Sequence, residues 1–149
     1  MTPSFLLPVL QLWARFVALL EALQPAAQLA ARFYVAQVFF MSGLTKIHDW
    51  DTTLALFADE YKVPLLPPNV AAMAGTAGEL VLPVLLLLGL GGRFAALGLS
   101  VVNAVAVLSL AEIAPAALQQ HVFWGSLLLA LVLWGPGQWS LDRLIAPKR

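Results

Sequence analysis

Cysteine is absent from this 149-residue chain, and charge is scarce, with Asp, Glu, Lys and Arg together making up 11% of it. Without cysteine there is no disulfide, no iron–sulfur cluster, no thiolate metal site and no thiol redox chemistry in the chain itself. Excess charge of either sign is missing too. Eight Lys and Arg balance eight Asp and Glu, so there is no basic footprint for nucleic acid. No phosphate loop, nucleophile elbow or catalytic triad pattern occurs. What is abundant is apolar surface: 61% of the residues are hydrophobic and the mean hydropathy is +0.87. Soluble domains run nearer to about 45–50% apolar, and one of this size could not hide the surplus in a single core. The composition describes a small, all-α integral membrane domain.

About 20 apolar residues cross a bilayer as a helix, and four such runs are present. They are Ala26–Ile47, opened by Pro25 and carrying Arg32; Ala71–Leu90, broken by Glu79; Phe94–Ala111, between Arg93 and Glu112; and Ala116–Trp134, opened by Pro115 and stopped by Gly135-Pro136-Gly137. Proline at a first helical turn and glycine beyond a last one are ordinary helix boundaries. The expected architecture is an integral membrane four-helix bundle over residues 25–149, preceded by a segment, residues 1–24, with a different pattern.

In that segment, Phe5–Leu23, a 100° step gathers Gln11, Arg15, Ala18 and Ala22 on one side. Phe5, Val9, Leu12, Trp13, Phe16, Val17 and Leu20 cover the broad remainder. A narrow polar face opposite a wide apolar one predicts an amphipathic helix lying in the membrane interface; a fifth span is the alternative. A cleaved signal peptide is not expected, because no Lys or Arg precedes the apolar run and Pro8 interrupts it.

With four spans, Arg15, Arg32, Arg93, Arg143, Lys148 and Arg149 fall on or near one side and Lys46 and Lys62 on the other. The positive-inside rule then places both termini in the cytoplasm. The first loop, with Asp49, Asp51, Asp59 and Glu60, faces outward. Asp51 reads as the N-cap of a short helix, Thr52–Tyr61, whose Leu54, Phe57 and Tyr61 share an apolar side. Val63-Pro64 and Pro67-Pro68 force an extended return, so that helix is expected to lie over the bundle like a lid.

Charges in hydrocarbon need a partner or a task. Glu79 sits eight residues into the second run, roughly 12 Å from its start. Pro83, four residues on, cannot donate to the Glu79 carbonyl, and the small residues Ala71, Ala72, Ala74, Gly75, Ala77 and Gly78 admit a close neighbour. Arg32, about 10 Å inside the opposite end of the first run, is the expected partner. Gln37 and Asn103 fall at similar depth. The expected intramembrane polar set is therefore Arg32, Gln37, Glu79, Asn103 and His121, either gluing helices together or lining a pocket for a ligand headgroup or protons. His48 and His121 emerge on one face, but without metal-ligand spacing. Trp13, Trp50, Trp134 and Trp139 fall at interfaces as an aromatic belt, with Trp124 just inside the fourth run.

Several stretches together resemble the DoxX family of small bacterial membrane proteins. They are Arg32, Ser42-Gly43-Leu44-Thr45-Lys46, Tyr61-Lys62-Val63-Pro64, Gly75-Thr76-Ala77-Gly78-Glu79-Leu80, Gly89-Leu90 with Arg93, and Gly135 through Asp142. The resemblance runs from about Arg32 to Asp142. Gln138 stands where the family usually has arginine. The resemblance implies a four-helix membrane bundle acting as a small subunit of a quinone-linked oxidoreductase, such as a thiosulfate- or terminal-oxidase system. The chain would not itself carry electrons. It would shape a quinone pocket, with Glu79, Arg32 or His121 against the ring carbonyls, or anchor a redox partner or further copies of itself. A small transporter or channel, and a purely structural anchor, are the alternatives.

Reporter fusions at Gln24, Leu65, Gly92, Pro115 and Arg149 test the predicted topology. All except Leu65 and Pro115 should report a cytoplasmic position, and an external C-terminus would overturn it.

Overall fold

Apolar runs punctuated by proline and glycine become helices separated by short turns. The computed structural model describes residues 6–145; Phe5, Lys148 and Arg149, which entered the topology argument, lie outside the described residues. The helices are α1 (Leu6–His48), α2 (Trp50–Asp59), α3 (Pro68–Leu88), α4 (Gly92–Leu108), α5 (Pro115–Trp134) and α6 (Leu141–Ile145). The described residues contain no strand, and the protein is an all-α membrane bundle. α1, α3 and α5 are long and apolar enough to cross a membrane, and α4 is a shorter apolar helix of 17 residues. Pro68 and Pro115 occupy first-turn positions, where a missing N–H is harmless. α3 closes on left-handed Gly89, and left-handed Gly91 then opens α4.

The N-terminal segment is not a separate helix. α1 runs unbroken for 43 residues with Pro25 buried inside it, about 65 Å at helical rise. Proline carries a φ that a helix already requires, so Pro25 removes one hydrogen bond without ending the helix. From Leu6 to Gln24 nearly every side chain is exposed. Burial along α1 starts at Pro25 and Arg32 and continues through Val35, Ala36, Phe39 and Gly43.

α1 packs chiefly on α3, α3 on α4, and α4 on α5, with a smaller α1–α5 contact closing the ring. The core joins Val35 and Phe39 of α1, Leu86 of α3, Ala95, Ala96 and Leu99 of α4, and Leu128 and Leu131 of α5. Helix pairs in lipid associate through close backbone approach rather than through a hydrophobic drive, and small residues stand at the contacts. A Cβ built on Gly43 would lie 2.9 Å from Leu80 and 3.1 Å from the Glu79 Cβ; one on Gly98 would lie 2.8 Å from Leu82.

α2 is the expected lid, shifted by two residues. Its N-cap is Asp49 rather than Asp51. The Asp49 carboxylate accepts from the Thr52 backbone N–H at 3.0 Å and from the Thr52 hydroxyl at 2.7 Å. Those bonds hold the carboxyl below the usual carboxylate range, so the cap persists at neutral pH and is lost only as acid protonates Asp49. Thr53 Oγ1 donates back to the carbonyls of Lys46 and Asp49, tying α2 to the end of α1. Phe57 is buried against Ala71 and Ala72, with Trp50, Leu54, Tyr61 and Val63 around it.

Gly43→Val should force α1 and α3 apart, because the added methyl groups meet Leu80 and the Glu79 stem. The expected loss is about 1–3 kcal/mol, read as a lower melting temperature in detergent. An unchanged melting temperature would show that the helices do not depend on this contact.

Candidate functional site

Arg32 is 1% exposed and touches no carboxylate. Its guanidinium donates to backbone carbonyls: Nε to Leu86 at 2.8 Å, Nη1 to Pro136 at 2.9 Å and Trp139 at 2.6 Å, and Nη2 to Leu87. Leu86 and Leu87 lie in the last turn of α3, where carbonyls lack the next helical turn and the helix dipole favours a cation. Pro136 and Trp139 belong to the turn after α5. Asp142 completes this end: its two carboxylate oxygens accept from Gly91 N at 2.7 Å and Gly92 N at 2.8 Å, which caps the start of α4. The Asp142 N–H donates to the Gly89 carbonyl at 3.0 Å. Gly89 has φ +66°, and any Cβ there would meet Ser140 and the Arg32 guanidinium.

The expected Arg32–Glu79 contact is not formed. Glu79 faces Gly43 across α1 and α3, and Gly43 lies eleven residues beyond Arg32, about 16 Å along the helix. No pair of side chains bridges that distance. Glu79 pairs instead with Lys46, whose Nζ lies 2.7 Å from Oε2. Lys46 also donates to Ser42 Oγ at 2.9 Å, and Ser42 donates to Glu79 Oε1 at 3.3 Å. Lys46 sits one turn above Ser42 on the same face of α1, so one side chain reaches down while the other holds the anion. Thr76, one turn before Glu79, is buried with its hydroxyl unpartnered. Tyr61 stands beside this cluster at the end of α2; burial pushes its phenol up, and the charges of Glu60 and Glu79 add to the effect.

Asn103 and His121 form a third polar unit, between α4 and α5. Asn103 Nδ2 donates to the His121 carbonyl at 2.9 Å, and its Oδ1 lies 2.8 Å from His121 Nδ1. With the amide oriented by that first bond, Nδ1 carries the proton and Nε2 is left as the acceptor. Trp124 packs edge-on to both His121 and Phe39, and its indole N–H is buried without a partner. Gln37 does not join the set. Val35, Ala36 and Phe39 face the core while Gln37 is exposed, on the outer side of α1. His48 is exposed at the end of α1 and does not meet His121. Among the described residues, no three His, Asp or Glu side chains gather as a metal site would require.

The five residues singled out in the sequence therefore divide. Arg32 organises the turn end, Glu79 the lid end, Asn103 and His121 one helix pair, and Gln37 an outer face. Lys46, Ser42 and Asp142 are the polar partners that depth counting missed. Their signal was local: Ser42 and Lys46 are spaced by one helical turn, and Asp142 follows a glycine-rich turn.

Comparison with known proteins places these features in a family. The DoxX family profile matches residues 27–112, more than half of the chain. An uncharacterized protein of Haemophilus influenzae is 32% identical over 126 residues, which cover 78% of this chain and 82% of that protein. No solved structure matches the chain. The chain belongs to the DoxX family. The matched segment contains Arg32, Ser42, Lys46, Glu79 and Asn103; His121 and the turn that receives Arg32 lie beyond it.

A double-mutant cycle separates the observed pair from the expected one. Lys46→Met and Glu79→Gln should each destabilise the bundle, and the combined variant should recover about 1–3 kcal/mol of the summed loss. Arg32→Met combined with Glu79→Gln should be additive. Unfolding in detergent reads both, and coupling of Glu79 to Arg32 rather than to Lys46 would contradict the geometry.

Proposed function

We propose that this chain is a non-catalytic subunit of the bacterial inner membrane, with both termini in the cytoplasm, that holds a protein partner of a quinone-linked oxidoreductase system at the bilayer. The observation that carries this reading is the bare first half of α1. Leu7, Leu10, Leu12, Trp13, Phe16 and Leu19 are exposed there, on a helix continuous with the first span. Lipid accounts for apolar exposure along the packed spans, but this stretch is exposed on nearly every side, which suits the close packing of a partner's helix. The satisfied polar groups support the same reading. Arg32, Glu79 and Asn103 spend their hydrogen bonds on the bundle itself, which leaves an assembly surface rather than a catalytic centre.

A quinone pocket is the second reading, favoured by one observation. The unpartnered Trp124 N–H beside His121 is a donor suited to a ring carbonyl, with apolar walls from Phe39 and its neighbours.

Photo-crosslinkers at Leu12 and Phe16, followed by mild-detergent purification and mass spectrometry, test both readings. The expected product is one stoichiometric protein adduct, and the same protein should co-purify with the uncrosslinked full chain but not with a chain lacking residues 1–22 whose remaining spans still insert. Adducts only to lipid, or only to a second copy of the chain, would overturn the partner reading. Stoichiometric quinone that is lost in Trp124→Phe would favour the pocket.

A further inference from the structure

At the arginine-rich end, the departure of α1 from the bundle opens a cleft of about 570 Å³. This falls within the range of about 300–1,000 Å³ usual for small-ligand sites. Gln24 and Gln28 of α1 form one wall. The first turn of α4 and the end of α5, with the turn beyond it, form the other.

Charge in the cleft is one-sided. Arg93 and Arg143 both line it, and Asp142 is the acid among its lining residues. Both oxygens of Asp142 are already committed to Gly91 N and Gly92 N, and the buried Arg32 cation stands behind the same turn. Arg93 makes one hydrogen bond, to the Leu133 carbonyl at 3.2 Å, so most of its guanidinium donors are unspent. Among the described residues, Arg143 forms no ion pair; the ion pair found there is Lys46–Glu79.

The apolar side of the cleft is equally directed. Phe94 is 68% exposed and Trp134 is 73% exposed. They sit at the ends of two spans, the depth at which aromatic side chains meet lipid glycerol and headgroups. A ligand here would meet cationic donors and amides on one side and hydrocarbon on the other. A free phosphate uses only the first half of that description; a phospholipid uses both.

We propose that this cleft binds the headgroup of an anionic phospholipid, with the phosphodiester against Arg93 and Arg143 and the acyl chains running down past Phe94 and Trp134. Basic pockets between spans at the membrane surface select anionic lipids on these electrostatic grounds. Gln24, the last residue of the bare half of α1, borders the cleft, but the arginines and aromatic side chains that would hold the lipid belong to α4, α5 and α6, so the proposal does not rest on the partner or quinone readings.

The test is native mass spectrometry of the full chain in detergent, titrated with phosphatidylglycerol and, in parallel, with phosphatidylcholine. Wild type should retain phosphatidylglycerol preferentially. Arg143→Gln, which breaks no hydrogen bond among the described residues, should weaken that retention about fivefold, the equivalent of one arginine near a membrane surface. Adding Arg93→Gln should erase the preference. Lys62→Gln, at the opposite end, should leave it intact. Equal retention of the two lipids by wild type would overturn the proposal, as would undiminished retention in Arg143→Gln or an equal loss in Lys62→Gln. Displacement of the lipid by excess inorganic phosphate would reassign the cleft to a soluble anion.

Discussion

Hydrocarbon offers no hydrogen-bond partners, so every polar group that enters it must be satisfied by the protein. Arg32 meets that demand without a direct salt bridge. Backbone carbonyls surround its guanidinium, and two of them belong to the end of α3, where dipoles already point their negative ends. The rest of that end follows from this contact. The turn after α5 must fold back to deliver Pro136 and Trp139. That return places Asp142 against the first N–H groups of α4. One cation thereby fixes where three helices begin or end.

The opposite end solves the same problem with opposite charges. Glu79 and Lys46 neutralise each other beneath α2, with Ser42 between them. Because Glu79 faces Gly43, it lies nearer the lid than its position in the apolar run suggests. α3 extends past the end of α1, and α2 fills the step against Ala71 and Ala72. Small residues let α1 and α3 approach closely enough for a short ion pair, while larger ones such as Leu86, Leu99 and Leu128 fill the space between the two polar ends.

Much of this was legible from composition and punctuation. The four spans, the lid and its apolar side, and the family itself follow from apolar runs, prolines and an ordered set of short motifs. What was not legible is depth. Counting from the first apolar residue assumed that each helix begins at the membrane surface, but α1 continues through Pro25 and α3 starts above the end of α1. That offset moved Glu79 out of reach of Arg32 and into reach of Lys46. Gln37 was assigned inward by depth alone; its facing, opposite to Val35 and Phe39, was available from helical periodicity. Carbonyl ligands for Arg32 leave no trace in side-chain identity, so they could not be read at all.

The carbonyl cage around Arg32 also has a consequence for biogenesis. During synthesis Arg32 emerges early, while its ligands at Leu86, Leu87, Pro136 and Trp139 follow some 54 to 107 residues later. Until the last turn leaves the ribosome, the first span carries a cation whose protein ligands are incomplete, a cost of at most about 2.5–3.5 kcal/mol set against its apolar residues. Chains interrupted before Trp139 thus keep an unsatisfied arginine in the bilayer. That arginine distinguishes an unfinished molecule from a finished one.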